Sequence, residues 1–157
     1  MPSETPLLPP DLRYLFFVRA GPPELHGIRD EAALLIVAAE GIPGEPEPGF
    51  IVPDARRITL AGSTATFRVY WPDCVSYAVR VASYAQDAHG ERSSLLVERS
   101  DSAYLAFVRQ TSDFPPETKP LRHWELSCLA HRIDVVSTAV PRINVDAEFG
   151  SRWDPNR

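Results

Sequence analysis

Basic residues are sparse and dispersed in this chain. Lys119 is the only lysine, arginines stand singly or in pairs such as Arg56-Arg57, and 16 Lys and Arg face 21 Asp and Glu for a formal charge of −5. Phosphate polymers are gripped by a concentrated cationic footprint that releases counterions, so nucleic acid is excluded as an expected partner. Cysteine is scarcer still: Cys74 and Cys128 make no disulfide framework of the secreted kind. The opening residues, MPSETPLLPPDLRY, lack a basic start followed by an apolar run and do not read as a signal peptide. No stretch of about 18 apolar residues is present to span a membrane. These absences predict a cytoplasmic protein with reduced thiols and no membrane partner. Glycines number 8 against 16 prolines. Proline has no amide donor and clashes with the preceding helical turn, which disfavours an all-helical fold.

What is there has an ordinary globular balance. With 157 residues, 44% hydrophobic and 24% charged, the chain fits one domain over 1–157, a size that buries roughly 70% of the surface its unfolded chain exposes. No repeat or second composition regime divides it. A Pro-rich arm (about 1–11) and a polar tail (about 144–157) read as peripheral.

Tyr14 to Arg19 (YLFFVR) is a short aromatic-rich run that predicts a strand. Asp30 to Glu40 (DEAALLIVAAE) opens on a capping residue and stops at Gly41, which predicts a helix. The rival is a buried strand through Leu34 to Ala38. Gly41 to Gly49 (GIPGEPEPG) predicts an irregular loop. Its Gly44 and Gly49 have the outer spacing of a phosphate loop, yet Phe50-Ile51 follows where Lys-Ser/Thr is required. Strands are expected at 57–60, 64–71 and 75–84, the last two forming an antiparallel hairpin through Trp71-Pro72-Asp73-Cys74. Gln86 to Ser93 reads as a loop and Ser94 to Glu98 as a short strand. A helix capped by Ser100 or Asp101 runs to about Gln110, with Tyr104, Phe107 and Val108 on one side. The resulting expectation is α+β: an antiparallel sheet partly covered by two helices.

His123 to Val136 (HWELSCLAHRIDVV) concentrates more reactive residue types than any other segment. Laid on one strand, Trp124, Leu126, Cys128 and Ala130 share an apolar face, while His123, Glu125, Ser127, Leu129 and His131 share the other. Beyond His131 the apolar phase switches to Ile133 and Val135, which predicts a bulge and a break in pairing between Ala130 and Ile133. Two histidines eight residues apart on a strand are roughly 26 Å from end to end, too far to share an ion. With no clustered third ligand, no metal is expected; no cofactor motif appears either. Cys128 reads as a buried small hydrophobe, and Asp134 as an edge or loop residue.

If the 64–84 hairpin pairs with this strand, Arg68, Tyr70, Arg80 and Tyr84 join His123, Glu125 and His131 on one polar face. Guanidinium binds carboxylate and other anionic groups in a bidentate way, so the seven form a candidate site for a small anionic molecule. A solvated face of Arg-Glu pairs, each worth about 0–1 kcal/mol, is the competing reading.

The run H-W-x-L-x-C-x-x-H-x-I-D-V, with F-R-V-Y-W and V-S-Y-A-V-R-V-x-S-Y ahead of it, resembles a group of uncharacterised small bacterial proteins over residues 57–143. The resemblance implies a bacterial source and supplies no catalytic residues. This chain departs from the group at Ala82, where an acidic residue is favoured. Two functions are carried forward. One is a non-catalytic domain binding a small molecule or a protein. The other is a hydrolase or transferase with His123 or His131 as general base beside Arg68 or Arg80 as an anion clamp.

Overall fold

The computed structural model describes residues 8–9, 12–46, 56–60, 65–84 and 94–146. In chain order its elements are β1 (Leu15–Gly21), β2 (Glu24–Leu25), β3 (Ile28–Arg29), β4 (Leu34–Glu40), β5 (Ile42–Pro46), β6 (Arg56–Thr59) and β7 (Thr66–Trp71). After these come β8 (Cys74–Val81), a 3₁₀ turn (Ala82–Tyr84), β9 (Leu96–Arg99), α1 (Ala103–Thr111), β10 (Arg122–Ser127), β11 (His131–Ser137) and β12 (Arg142–Asp146). Of the described residues, 55% are in strands and 10% helical, which overturns the expected sheet covered by two helices. Two four-stranded antiparallel sheets, ordered β1-β4-β7-β12 and β8-β11-β10-β9, face each other across one apolar core.

Period-2 alternation builds that core. Leu15, Leu34, Ile36, Ala38, Phe67, Val69 and Trp71 of the first sheet meet Leu96, Trp124, Leu126, Ile133 and Val135 of the second. Side chains as fully buried as Trp71, Val69, Leu126 and Ile133 each contribute about 1.5–3 kcal/mol of hydrophobic stabilisation. Leu8 and Leu12 also lie in this core, so the Pro-rich arm is anchored at Leu8 rather than peripheral there.

The residues predicted as a helix at 30–40 form β4 instead. Asp30 Oδ1 accepts from Ala32 N at 3.2 Å, making a local turn in place of a helix cap. β4 lies between β1 and β7 and buries Leu34, Ile36 and Ala38 on one face and Val37 and Ala39 on the other. A strand buried on both faces reads as an unbroken apolar run, hence its helical look. Gly41 is required by close approach: a Cβ there would stand 2.6 Å from Ile58 Cγ2 and 2.9 Å from Phe16 Cε2. The loop expected from 41 onward is in part β5, paired with β6 across an irregular register between Pro43 and Pro46. Residues 47–49 of that prediction, and the 86–93 loop, lie outside the described residues.

The expected β7–β8 hairpin does not form. β7 has both edges taken by β4 and β12, and β8 pairs with β11 in the opposite sheet. Trp71 to Cys74 is therefore a corner between sheets. It is pinned by Cys74 N donating to Ala32 O at 2.8 Å, and by Ser137 and Thr138 hydroxyls donating to the Asp73 carbonyl and carboxylate. At the C-terminal side, residues 144–146 of the supposed tail belong to β12, zipped to β7; 147–157 lie outside the described residues.

The predicted helix after Ser100 is α1. Ser102 is its N-cap, with Oγ accepting from Leu105 N at 3.0 Å. Leu105 and Val108 are its buried positions, packed on Val136, while Phe107 is 58% exposed. α1 thus covers part of the outer face of the second sheet.

Candidate functional site

The 123–136 segment is a hairpin, not one bulged strand. β10 pairs with β11 from Arg122↔Ser137 to Ser127↔Arg132, and Cys128 N donates to His131 O at 2.8 Å, closing a tip at Leu129-Ala130. The break in pairing predicted between Ala130 and Ile133 does not occur, since β11 pairs in regular register from His131 to Val136; the chain turns back at Leu129-Ala130 instead. This explains the phase change: His131 lies on the core side with Ile133 and Val135, its ring 5.2 Å from that of Phe17. The expected inward placement of Trp124, Leu126 and Cys128 holds.

On the outer face the seven candidate residues separate. Arg68 and Tyr70 sit on β7 of the first sheet, in register with Val37 and Leu35, and so leave the constellation. His131 leaves it for the core side. Tyr84 ends the 3₁₀ turn. Arg80, His123 and Glu125 remain together, because β8, β11 and β10 are neighbours.

Arg80 and His123 converge on Asp134, the residue expected at an edge. It lies on a central strand, only 2% exposed. Its Oδ1 is 2.8 Å from His123 Nε2, and its Oδ2 accepts from Arg80 Nε at 3.0 Å and Nη2 at 2.9 Å. Glu125 lies directly opposite Asp134 and is paired with Arg99 of β9 at 3.2 Å. Burial alone would raise the Asp134 carboxyl, but the His123 hydrogen bond and the Arg80 charge outweigh it and hold it below its ordinary value.

His123 continues the chain to Ser102, whose Oγ is 2.6 Å from Nδ1. Tyr104 packs its ring 5.4 Å from the His123 ring, and its hydroxyl lies 2.8 Å from Ser76 Oγ. Burial raises the Tyr104 hydroxyl, against the Ser76 hydrogen bond. Ser102, His123 and Asp134 thus stand in nucleophile-base-acid order. The ring nitrogens are exchanged relative to the serine-protease arrangement, in which Nε2 faces the hydroxyl and Nδ1 the carboxylate. The hydroxyl is also already engaged by Leu105 N. With His123 at 3% exposure, the line braces α1 to the sheet. Sequence reasoning missed Ser102 because Ser100, Asp101 and Ser102 are all competent caps, and only the helix start distinguishes them.

Neither thiol is poised for chemistry. Burial pushes Cys128 up to about 12, partly offset by the Arg132 charge, and Cys74 up to about 11, partly offset by hydrogen bonding with the Ser76 backbone. Among the described residues, no three His, Cys, Asp or Glu side chains group as metal ligands would. No helix of the described residues is long and apolar enough to cross a membrane.

The accessible chemistry lies elsewhere. A cleft of about 330 Å³ is lined by Arg19, Ala20, Gly21, Pro22, Arg29, Leu35 and Tyr77. Arg19 follows a register shift in β1 between Phe17 and Arg19, and such bulges re-aim side chains. Arg29 is carried by the β2–β3 hairpin, whose turn residues His26 (φ 54°) and Gly27 (φ 78°) both adopt positive φ, the conformation of a tight primed turn. Neither guanidinium has an ion-pair partner among the described residues, Glu24 opposite Arg29 included. The readable signal was the L-H-G-I turn, which projects Arg29 beside the Gly21-Pro22-Pro23 corner.

The chain matches no protein-family model, no curated protein and no solved structure.

Proposed function

We propose that the protein is a non-catalytic cytoplasmic binding module that takes a small anionic group, carboxylate or phosphate, between Arg19 and Arg29. One observation carries the reading: two guanidiniums without acidic partners among the described residues line one cleft, flanked by the Tyr77 phenol and the Pro22 ring. Like charges brought together without a counterion repel, and an anion held by charge-assisted hydrogen bonds relieves that repulsion. Arginine presents fixed, planar donors suited to either group.

The test is thermal shift and calorimetric titration with inorganic phosphate, acetate and citrate. Binding to the native state raises stability by RT ln(1 + [L]/Kd), and Arg19→Ala and Arg29→Ala are each expected to weaken binding about tenfold or more. Equal binding by wild type and both variants, or no response to any of the three anions, overturns the proposal.

The hydrolase or transferase reading has the Ser102–His123–Asp134 line in its favour. It requires a substrate to reach a histidine that is 3% exposed and a hydroxyl already capping a helix, so the binding reading is preferred.

A further inference from the structure

The second sheet has an edge with little of the protection that sheet edges usually carry. Alternating hydrogen-bond parity shows which backbone groups that edge presents. Ser127 N donates to Leu95 O, Cys128 N to His131 O and Ala82 N to Ala130 O. In an antiparallel ladder, residues facing one neighbour alternate with those facing the other. On β11, then, Arg132, Asp134 and Val136 turn towards β8, where Arg80, Ala78 and Ser76 answer them. Tyr77, Val79 and Val81 direct their N–H and C=O groups outward, and no other strand of the described residues pairs with them.

The side chains of those same residues are exposed by 41%, 39% and 51%. β8 is the longest strand among the described residues, at eight residues, and its register is regular from Ser76 to Val81. Other edges are blunted. β1 is interrupted by a bulge, β9 is four residues long with Glu98 and Arg99, and β12 carries Arg142 and Asp146. Proteins blunt edges in these ways to stop strands adding to them. On β8 the one charge is Arg80, and it is committed to Asp134.

We propose that two copies of this chain associate through β8, antiparallel about a two-fold axis at Val79, so that their second sheets become continuous. This goes beyond the anion-binding reading and stands without it. The occupant is argued from self-complementarity. An axis at Val79 sets it against the partner's Val79, and Tyr77 against the partner's Val81. These are pairs of outward-facing residues, each able to exchange both N–H···O bonds. Aromatic with β-branched and β-branched with β-branched are favourable cross-strand pairs. Arg80 falls opposite the partner's Ala78, so no like charges meet. A C₂ contact needs a patch that complements itself, and this strand does.

The experiment is sedimentation equilibrium of the full chain as wild type, Val79→Lys, Val79→Glu, and an equal mixture of the two variants, with circular dichroism to verify folding. Wild type is expected to be dimeric. Each variant places like charges face to face on the axis and is expected to raise the dimer Kd by about a hundredfold or more, while the mixture restores a dimer. A monomeric wild type overturns the proposal, whether the edge then serves another extended chain or none. It is equally overturned if Val79→Lys stays dimeric, or if the mixture fails to re-associate while both variants are folded.

Discussion

On the inward face of the β10–β11 hairpin, Trp124, Leu126, Ile133 and Val135 are between 0% and 5% exposed; on its outward face, His123, Glu125 and Asp134 are between 2% and 8% exposed. The same backbone ladder therefore carries two buried layers of opposite chemistry. The inward layer is held by removal of apolar surface from water, a term that is non-directional and indifferent to pH. The outward layer is held by mutual satisfaction: each charge is tolerable only because its partner is in place. The difference is one of failure mode. Apolar layers degrade in proportion to the volume removed, whereas paired layers fail when a single member is lost.

The sharpest separation comes from Asp134→Ala against Leu126→Ala. Removing the carboxylate leaves buried His123 without its partner, while Arg80, 45% exposed, turns to solvent that screens its charge, so unfolding free energy is expected to fall by about 3 kcal/mol. Truncating Leu126 leaves a cavity and is expected to remove about 3 kcal/mol. Denaturant titrations at several pH values distinguish them. The folded Asp134 carboxyl titrates below its ordinary value of 3.8. Its contribution is fully present above that value and is lost as pH falls through the folded pKa. The Asp134→Ala deficit should therefore shrink in acid while the Leu126→Ala deficit holds constant. Equal pH profiles would remove the distinction drawn here.

Ser102→Ala tests the join between the helix and the polar layer. Loss of an N-cap costs about 1 kcal/mol, and leaving His123 Nδ1 without its hydroxyl adds about 1 kcal/mol more. Chemical unfolding should show the sum, with amide exchange accelerated in α1. A change in anion binding with no stability loss would contradict the bracing role. The smallest effect belongs to Glu98→Ala. Glu98 receives Arg122 at 2.7 and 2.8 Å, but both side chains are about one-third exposed, so the loss should stay under about 1 kcal/mol. A larger value would place the β9 edge within the cooperative buried layer.

Much of this was legible beforehand. β1, β7, β9 and α1 lie close to their expected positions, as does the inward set of Trp124, Leu126 and Cys128, because alternation reports which face is buried. It does not report which strand lies alongside. Strand partners are chosen by the whole assembly, so the Trp71–Cys74 corner looked like a hairpin. The true hairpin was hidden because Leu129-Ala130 lacks the Gly, Asn or Asp that signals a tight turn. Asp134 was misplaced for a related reason: an aspartate among apolar residues suits an edge, unless the arginine and histidine that neutralise it arrive from β8 and β10.

The tight tip at Leu129-Ala130 also bears on the order in which the molecule assembles. Among the long pairings its loop is by far the shortest, whereas β7–β12 joins Tyr70 to Arg142, and closure entropy grows with the length enclosed. Yet the hairpin that closes most cheaply brings Glu125 and Asp134 face to face, two carboxylates that repel until their arginines dock from either side. Arg99 comes from β9 and Arg80 from β8. His123, on the same hairpin, already engages Asp134 at 2.8 Å, and the flanking strands add the two arginines that complete the balance of charge, so closing the hairpin and completing the sheet stabilise one another.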